Sequence, residues 1–345
     1  MDHAVKTFDP QAASASELEA LYDLSCTEHL ELWDEDPVPS FELWKKVVLD
    51  QPSHRKTFRW VVWSDDGAEI IGSSSLSLEY TETNLDQAGI DVYIRPAFRG
   101  KGMARALLVP ALEAAAADGR TMLNGGGVTD GEASSFSEHV GADLKILERK
   151  SRMMLAGVDR SMLEEWIVKA KQRAEGYSLV SWDGPVPEPY LEKFVALSMV
   201  MNTAPRDDLE MEDWIHTPER QREGEERSLR RGYRWWTLVA RHDETDELVG
   251  YTEFVFPPSD PKAAWQEATA VDPTHRDKGL GRWLKAANCL RLFDEHPEIE
   301  YVDTWNAFSN APMLGINIAM GFEVVKSFSA YQIRTERLQE RLGQG

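Results

Sequence analysis

Cysteine is nearly absent. The 345-residue chain has two, Cys26 and Cys289, one in each half. No disulfide framework is therefore expected, and a reducing compartment such as the cytoplasm fits. Positive charge is also short: 38 Lys and Arg stand against 59 Asp and Glu, for a formal net charge of −21. A nucleic-acid partner needs a basic footprint, so that class is disfavoured, whereas an acidic surface suits a cationic small molecule. No apolar run reaches the ~18 residues of a spanning helix, so no membrane partner is expected. The opening Met1-Asp2-His3-Ala4 has no basic segment leading into an apolar run, so no secretory leader is expected either. No Cys/His spacing suggests a metal, and no Ser-His-Asp order stands out.

What the chain does contain is a repeated phrase. Arg95-Pro96-Ala97-Phe98-Arg99-Gly100-Lys101-Gly102-Met103-Ala104 returns as Asp272-Pro273-Thr274-His275-Arg276-Asp277-Lys278-Gly279-Leu280-Gly281, with Arg99 and Arg276 separated by 177 residues. Each copy follows an extended apolar stretch and opens an apolar helical one. A second landmark, Ile71-Gly72 against Val249-Gly250, repeats at an offset of 178. Two landmarks at nearly one offset indicate a duplicated α/β fold.

Periodicity gives both halves one order of elements: two helices, a hairpin, a strand, a helix, a strand, a helix and closing strands. In the first half the hairpin turns at Ser64-Asp65-Asp66-Gly67, the next strand is Ala88–Ile94, and the closing strands are Leu144–Leu155. In the second half the hairpin turns at His242–Asp246, the next strand is Trp265–Val271, and the closing strands are Phe322–Ile333. Asp159–Gln172 reads as a linking helix. The expected partition is 1–157, a linking helix over 158–176, and 177–345.

At these residues the chain resembles the GNAT N-acetyltransferase superfamily in its tandem form. Mycothiol synthase is similar in layout, and actinobacterial natural-product gene clusters, of biosynthesis or resistance, carry such proteins. The second half is the stronger match. Beyond its loop it has Thr304-Trp305-Asn306, then Asn310, Met313, Asn317 and Gly321-Phe322, which resembles the family's Asn…Gly-Phe element. The resemblance implies two mixed, splayed sheets flanked by helices, with acetyl-CoA wedged between parted strands as co-substrate.

A helix N-terminus offers unpaired N–H groups and partial positive charge, so it attracts the CoA pyrophosphate. The expected contacts in the second half are Val271, Arg276, Asp277, Lys278, Gly279, Leu280 and Gly281, with Asn306 and Asn310 beyond. Ile94, Arg99, Gly100, Lys101, Gly102, Met103 and Ala104 repeat the pattern in the first half.

A protonated amine cannot attack a thioester, so a proton acceptor is needed. Glu267 lies four residues before Val271 and shares its strand face; many relatives carry a glutamate there. The matching places in the first half, Ile90 and Ala88, are apolar, and its Asn…Gly-Phe element is degenerate. The first half is thus expected to bind a structural CoA or none, and the second half to do the chemistry. Relatives often use a tyrosine as general acid where this chain has Asn317, which can donate a hydrogen bond but not a proton. Tyr331 on a closing strand is a substitute.

The acceptor is expected to be a small-molecule primary amine, with the carboxylates of 201–214 either receiving it or forming a solvated loop. The acid/base alternation of 219–234 reads as a solvated face, and Trp235, Trp236, Trp265 and Trp305 as core, with substrate contact the alternative for Trp305 at the start of the active-site loop. Rival readings are a longer acyl-CoA donor, a protein N-terminus as acceptor, and a CoA-binding sensor without turnover. A monomer and a homodimer are both compatible with the sequence.

Overall fold

Side-chain caps start the helices where polar residues precede apolar periodicity. In the computed structural model, which describes residues 4–343, Ser14 accepts from the Glu17 N–H while the Glu17 carboxylate receives the Ser14 N–H. Ser40, Asp159, Thr217 and Asn310 cap further helices through their side chains. Each satisfies N–H groups that a first turn leaves unpaired.

The elements in chain order are β1 Val5–Thr7, α1 Ala15–Leu32, α2 Phe41–Leu49, β2 Arg55–Trp63, β3 Ile70–Glu79, β4 Gln87–Ile94, α3 Met103–Ala117, β5 Met122–Val128, α4 Glu132–His139 and β6 Asp143–Met154. There follow α5 Arg160–Arg173, β7 Tyr177–Asp183, α6 Leu191–Ser198, α7 Pro218–Arg231, β8 Arg234–His242, β9 Glu247–Phe256 and β10 Ala263–Val271. The chain continues through α8 Leu280–Glu295, β11 Tyr301–Ala307, α9 Ala311–Met320, β12 Glu323–Arg334 and α10 Thr335–Gly343.

These elements form two compact units. The N-terminal unit comprises Met1–Leu147, Asp207–Glu212 and Phe328–Gly345; the C-terminal unit comprises Glu148–Arg206 and Asp213–Ser327. Both are discontinuous, unlike the contiguous halves expected from the sequence. The reason lies in the closing strands. In the N-terminal unit β1 to β4 pair antiparallel, β5 joins β4 in parallel, and residues 328–334 of β12 pair with β5. In the C-terminal unit β7 to β10 pair antiparallel, β11 joins β10 in parallel, and residues 148–154 of β6 pair with β11. The last strand of each half therefore completes the sheet of the other unit.

A buried charge cluster marks the C-terminal side of this exchange. Asp303 on β11 receives Arg152 Nε at 2.7 Å and Nη2 at 2.8 Å, and lies 3.1 Å from Lys150 Nζ. Lys150 and Arg152 come from β6. A bidentate guanidinium–carboxylate pair is strongly directional, so it favours one register.

Each sheet has helices on both faces. In the N-terminal unit α3 buries Leu107 and Ala111 against Leu76 and Leu78, while α1 buries Leu21 and Leu24 against Val61 and Ile70. In the C-terminal unit Leu284 packs with Ala240 and Val249, and Phe194 with Val239 and Tyr251. Helix α5, expected as a linker, buries Leu163 and Ala170 among core residues of the C-terminal unit.

Candidate active site

Two parallel strands in each unit begin paired and then part. In the C-terminal unit the β10–β11 ladder runs from Ala263↔Tyr301 to Gln266↔Thr304, although β10 continues to Val271 and β11 to Ala307. Thr304 Oγ1 donates to the Gln266 carbonyl at 3.0 Å, where pairing stops. In the N-terminal unit the β4–β5 ladder runs only from Gln87↔Met122 to Gly89↔Asn124. Beyond these points each strand edge offers backbone groups to a ligand.

The repeated loops lie directly after β4 and β10. Arg276 Nε donates to the Val271 carbonyl at 2.9 Å, and Arg99 Nε donates to the Ile94 carbonyl at the same distance. Both arginines thus fold the loop back on the strand that precedes it. Asp277 and Gly279 have φ of +64° and +81°, and Gly279 caps α8; Gly100 and Gly102 have +73° and +80°, and Gly102 caps α3. The left-handed caps are easy for glycine and uncommon for other residues. They leave the N–H groups of each first helical turn open to an anion.

The loops differ in charge. Arg276 Nη2 donates to Thr203 Oγ1 at 2.8 Å, and Lys278 lies over the Tyr177 ring at 5.8 Å. Arg99 is committed to carboxylates, with Glu31 at 2.7 and 2.6 Å and Glu132 at 2.8 Å. Lys101 donates to the Ala97 carbonyl at 3.1 Å. The C-terminal loop has carboxylates of its own, Asp272, whose carboxyl the Arg276 charge helps to lower, and Asp277, but the bonds of Arg276 go to the Val271 carbonyl and Thr203. Met103 and Leu280 are buried in their helices, Ala104 and Gly281 half-buried.

Glu267 sits on an irregularity of β10. The β9–β10 register jumps between Gln266↔Phe254 and Thr269↔Thr252, so Glu267 and Ala268 together oppose Glu253. Such a bulge re-aims a side chain. Glu267 keeps more than a third of its surface open, yet the surrounding protein pushes its carboxyl above the usual range. Glu253 is enclosed more fully. Burial raises it to about 7, its bond from Thr237 Oγ1 at 2.9 Å opposes the rise, and the charges of Glu267 and Glu225 add to it. Glu225 itself is buried, receiving the Val186 N–H at 2.9 Å, Gln221 Nε2 at 2.8 Å and Arg222 Nη1 at 2.7 Å. Tyr233 stands close enough for Glu267 to raise its pKa further, after burial.

Asn317 has no exposed surface. Its Oδ1 accepts from Lys285 Nζ at 2.6 Å, and its Nδ2 donates to Asn306 Oδ1 at 2.7 Å. Lys285 is 1% exposed, and burial lowers its pKa to about 7. Asn310 caps α9, accepting from the Met313 N–H.

Tyr331, expected on a strand closing the second half's sheet, is placed elsewhere. It pairs with Gly125 of β5 in the N-terminal unit and its hydroxyl donates to Glu138 at 3.2 Å. The strand exchange is the cause, so Tyr331 belongs to a different unit from Glu267. The acidic segment is also corrected in part. Glu210 binds Lys145 and Arg334, and Glu212 receives the Asn84 N–H at 2.8 Å, all within the N-terminal unit. Of the tryptophans, Trp236 is buried but Trp305 is 44% exposed.

Glu253, Glu225 and Lys285 were not singled out from the sequence. Glu253 and Lys285 had a visible signal, a lone charge in an apolar strand and an apolar helix face. Glu225 had none, being hidden in charge alternation.

The parted strands and the anion-ready helix starts define an acyl-CoA-binding architecture. The chain belongs to the acetyltransferase (GNAT) family, whose model matches residues 18–128 and 201–312. No curated protein matches it. Among solved structures it is similar to a tandem GNAT protein from the clavulanic acid biosynthesis pathway, with TM-score 0.74 and 24% identity over 96% of this chain and 99% of the other. A GCN5-related N-acetyltransferase from Sphaerobacter thermophilus gives TM-score 0.63 and 15% identity, covering 96% and 95%. A glucosamine N-acetyltransferase region of a fungal multi-domain β-N-acetylglucosaminidase gives 0.66 and 13%, with 96% of this chain but 38% of that one. At these identities the likeness concerns the fold. Among the described residues no helix is long and apolar enough to cross a membrane, and no group of His, Cys, Asp and Glu is arranged to hold a metal.

Proposed function

We propose that this protein transfers an acetyl group from acetyl-CoA to a primary amine of a small molecule, and that the C-terminal unit does the chemistry. The amine nitrogen attacks the thioester carbonyl, the carbon–sulfur bond breaks, and CoA leaves as the thiolate. Glu267 takes the ammonium proton before or during attack, directly or through water. Burial raises its carboxyl, which makes it a stronger base than an ordinary glutamate. N–H groups on the unpaired edge of β10 polarise the carbonyl, and the loop from Arg276 to Gly281 receives the pyrophosphate.

The observation that carries this reading is Glu267 on a bulge, beside the point where β10 and β11 part. Neither Asn317 nor Tyr331 takes the general-acid role here. The former is covered and doubly bonded, and the latter is buried with its hydroxyl donating to Glu138. The thiolate leaves unassisted or takes its proton from water. In the N-terminal unit the same strand opening supports a second CoA, but Glu31 and Glu132 around Arg99 oppose its phosphates.

The test is thiol release from acetyl-CoA with a panel of small amines, amino acids, polyamines and aminoglycosides. Amine-dependent release with intersecting initial-rate lines supports direct transfer in a ternary complex. Parallel lines, or release that no amine accelerates, refute it.

A further inference from the structure

Lys285 is a buried amine that the proposed chemistry does not use. It makes no ion pair among the described residues, and its Nζ lies 5.3 Å from the centre of the Phe322 ring. Cys289, one turn further along α8, is held as a thiol, its pKa pushed up to about 12 by burial. Packing alone does not ask for a lysine here. Counting nine residues from the loop arginine reaches Lys285 in α8 and Leu108 in α3, and Leu108 is buried too. Burying an amine costs free energy that a leucine avoids, so the lysine answers a polar need.

Its one hydrogen bond shows that need. Lysine keeps N–H donors in both protonation states, and as an ammonium it can only donate. Nζ donates to Asn317 Oδ1 at 2.6 Å, which leaves Asn317 Nδ2 to donate to Asn306 Oδ1 at 2.7 Å. The Asn306 oxygen is thereby taken. Its Nδ2 is the end left over, and it has no partner among the described residues. The two ends of an asparagine amide are nearly the same size, so shape does not choose between them; the chain of donors does. Asn306 is half-buried on β11, two residues past Thr304, the last residue of β11 that pairs with β10.

We propose that Lys285 is a positioning residue for the acyl donor: through Asn317 it fixes the Asn306 amide with Nδ2 free, so that Asn306 donates to an amide carbonyl of the CoA arm. This rests on the reading that CoA enters where β10 and β11 part. An Asn306 amide turned the other way would set oxygen against that carbonyl. Lys285 itself touches neither CoA nor the reacting atoms.

The experiment is calorimetric titration of the full chain with CoA at pH 6, below the Lys285 pKa of about 7, where the side chain can only donate. Lys285→Met keeps the apolar stem and removes the donor. It should weaken CoA binding about tenfold, the worth of one hydrogen bond. Asn306→Ala should cost about as much. Adding Lys285→Met to Asn306→Ala should then change the affinity by about twofold or less, because the lysine acts only through that amide. Asn306→Asp, whose carboxylate can only accept, should lose at least as much as Asn306→Ala. A lysine that merely supports the fold would weaken CoA equally with and without Asn306, or not at all, and either result overturns the proposal. Unchanged affinity in Asn306→Asp overturns it too, whether or not the Lys285 variants fold. Wild-type protein that does not bind CoA would remove the reading of the site together with the proposal, whereas wild-type binding that the variants leave unchanged removes the positioning role alone.

Discussion

Glu253 on β9 stands opposite the bulge that carries Glu267 on β10, and the Glu267 charge helps hold Glu253 at about 7. Two carboxyl groups this close do not ionise independently. A base must be ionised to work, so the rate should fall as pH drops through the raised values, with a midpoint above the ordinary glutamate range. Glu253→Gln should move that midpoint down and lower kcat less than Glu267→Gln does. The check is kcat/KM against pH for the three proteins.

Lys285 gives a different pH signature. Its folded pKa of about 7 lies below the 10.5 of a free lysine. Between those values the unfolded chain holds a proton that the folded chain has given up, so stability from this residue rises with pH across that window. Below about pH 7 its cost is present in full; above about 10.5 it vanishes. Lys285→Met should remove this slope, on the order of a few kcal/mol across the window, and leave Asn317 Oδ1 unpaired at about 1–3 kcal/mol. Urea denaturation at pH 6 and at pH 9.5 measures both proteins. The gap between variant and wild type should shift in the wild type's favour at the higher pH.

The two loops should respond unequally to charge reversal. Lys278→Glu should raise the KM for acetyl-CoA about tenfold or more, because Arg276 is bonded to a carbonyl and a hydroxyl where Arg99 is bonded to two carboxylates. Lys101→Glu should leave that KM within about twofold. Gly279→Ala forces a φ of +81° on a residue with a Cβ, costing about 1–2 kcal/mol, and should weaken CoA binding similarly to Lys278→Glu.

Asp303 ties β6 to β11 through Arg152 and Lys150. Asp303→Ala leaves two cations in a buried site and should destabilise the protein by about 3–5 kcal/mol. Thermal unfolding checks this, and a change within about 1 kcal/mol would show that backbone pairing alone holds the exchanged strand.

Much of the fold was legible because local signals agreed. Gly102 and Gly279 announced helix starts that need left-handed caps, and the hairpin turns at Ser64–Gly67 and His242–Asp246 fell between alternating strands. The exchange of β6 and β12 was not legible. Alternation marks Leu144–Leu155 and Phe322–Ile333 as strands but carries no information about which edge they join, since either sheet offers an equivalent partner. That is why Tyr331, expected on a strand closing the second half's sheet, is found beside Gly125.

At the site, counting from Val271 gave Glu267 correctly as a strand residue before the loop, but the bulge that aims it was invisible. A bulge is a two-strand property, and Glu253, its opposite, sits on another strand. The equivalent β3–β4 ladder runs through Asp91 without a shift. Asn317 illustrates the converse. Its sequence position matched the family element, but the lysine that holds it is 32 residues away on α8.

The most direct test of the central claim is turnover of Glu267→Gln with whichever amine the wild type acetylates, measured with CoA affinity in the same protein. The account predicts a loss of kcat of about 10²–10⁴-fold with CoA binding unchanged. Full turnover in that variant would place the chemistry elsewhere and contradict it.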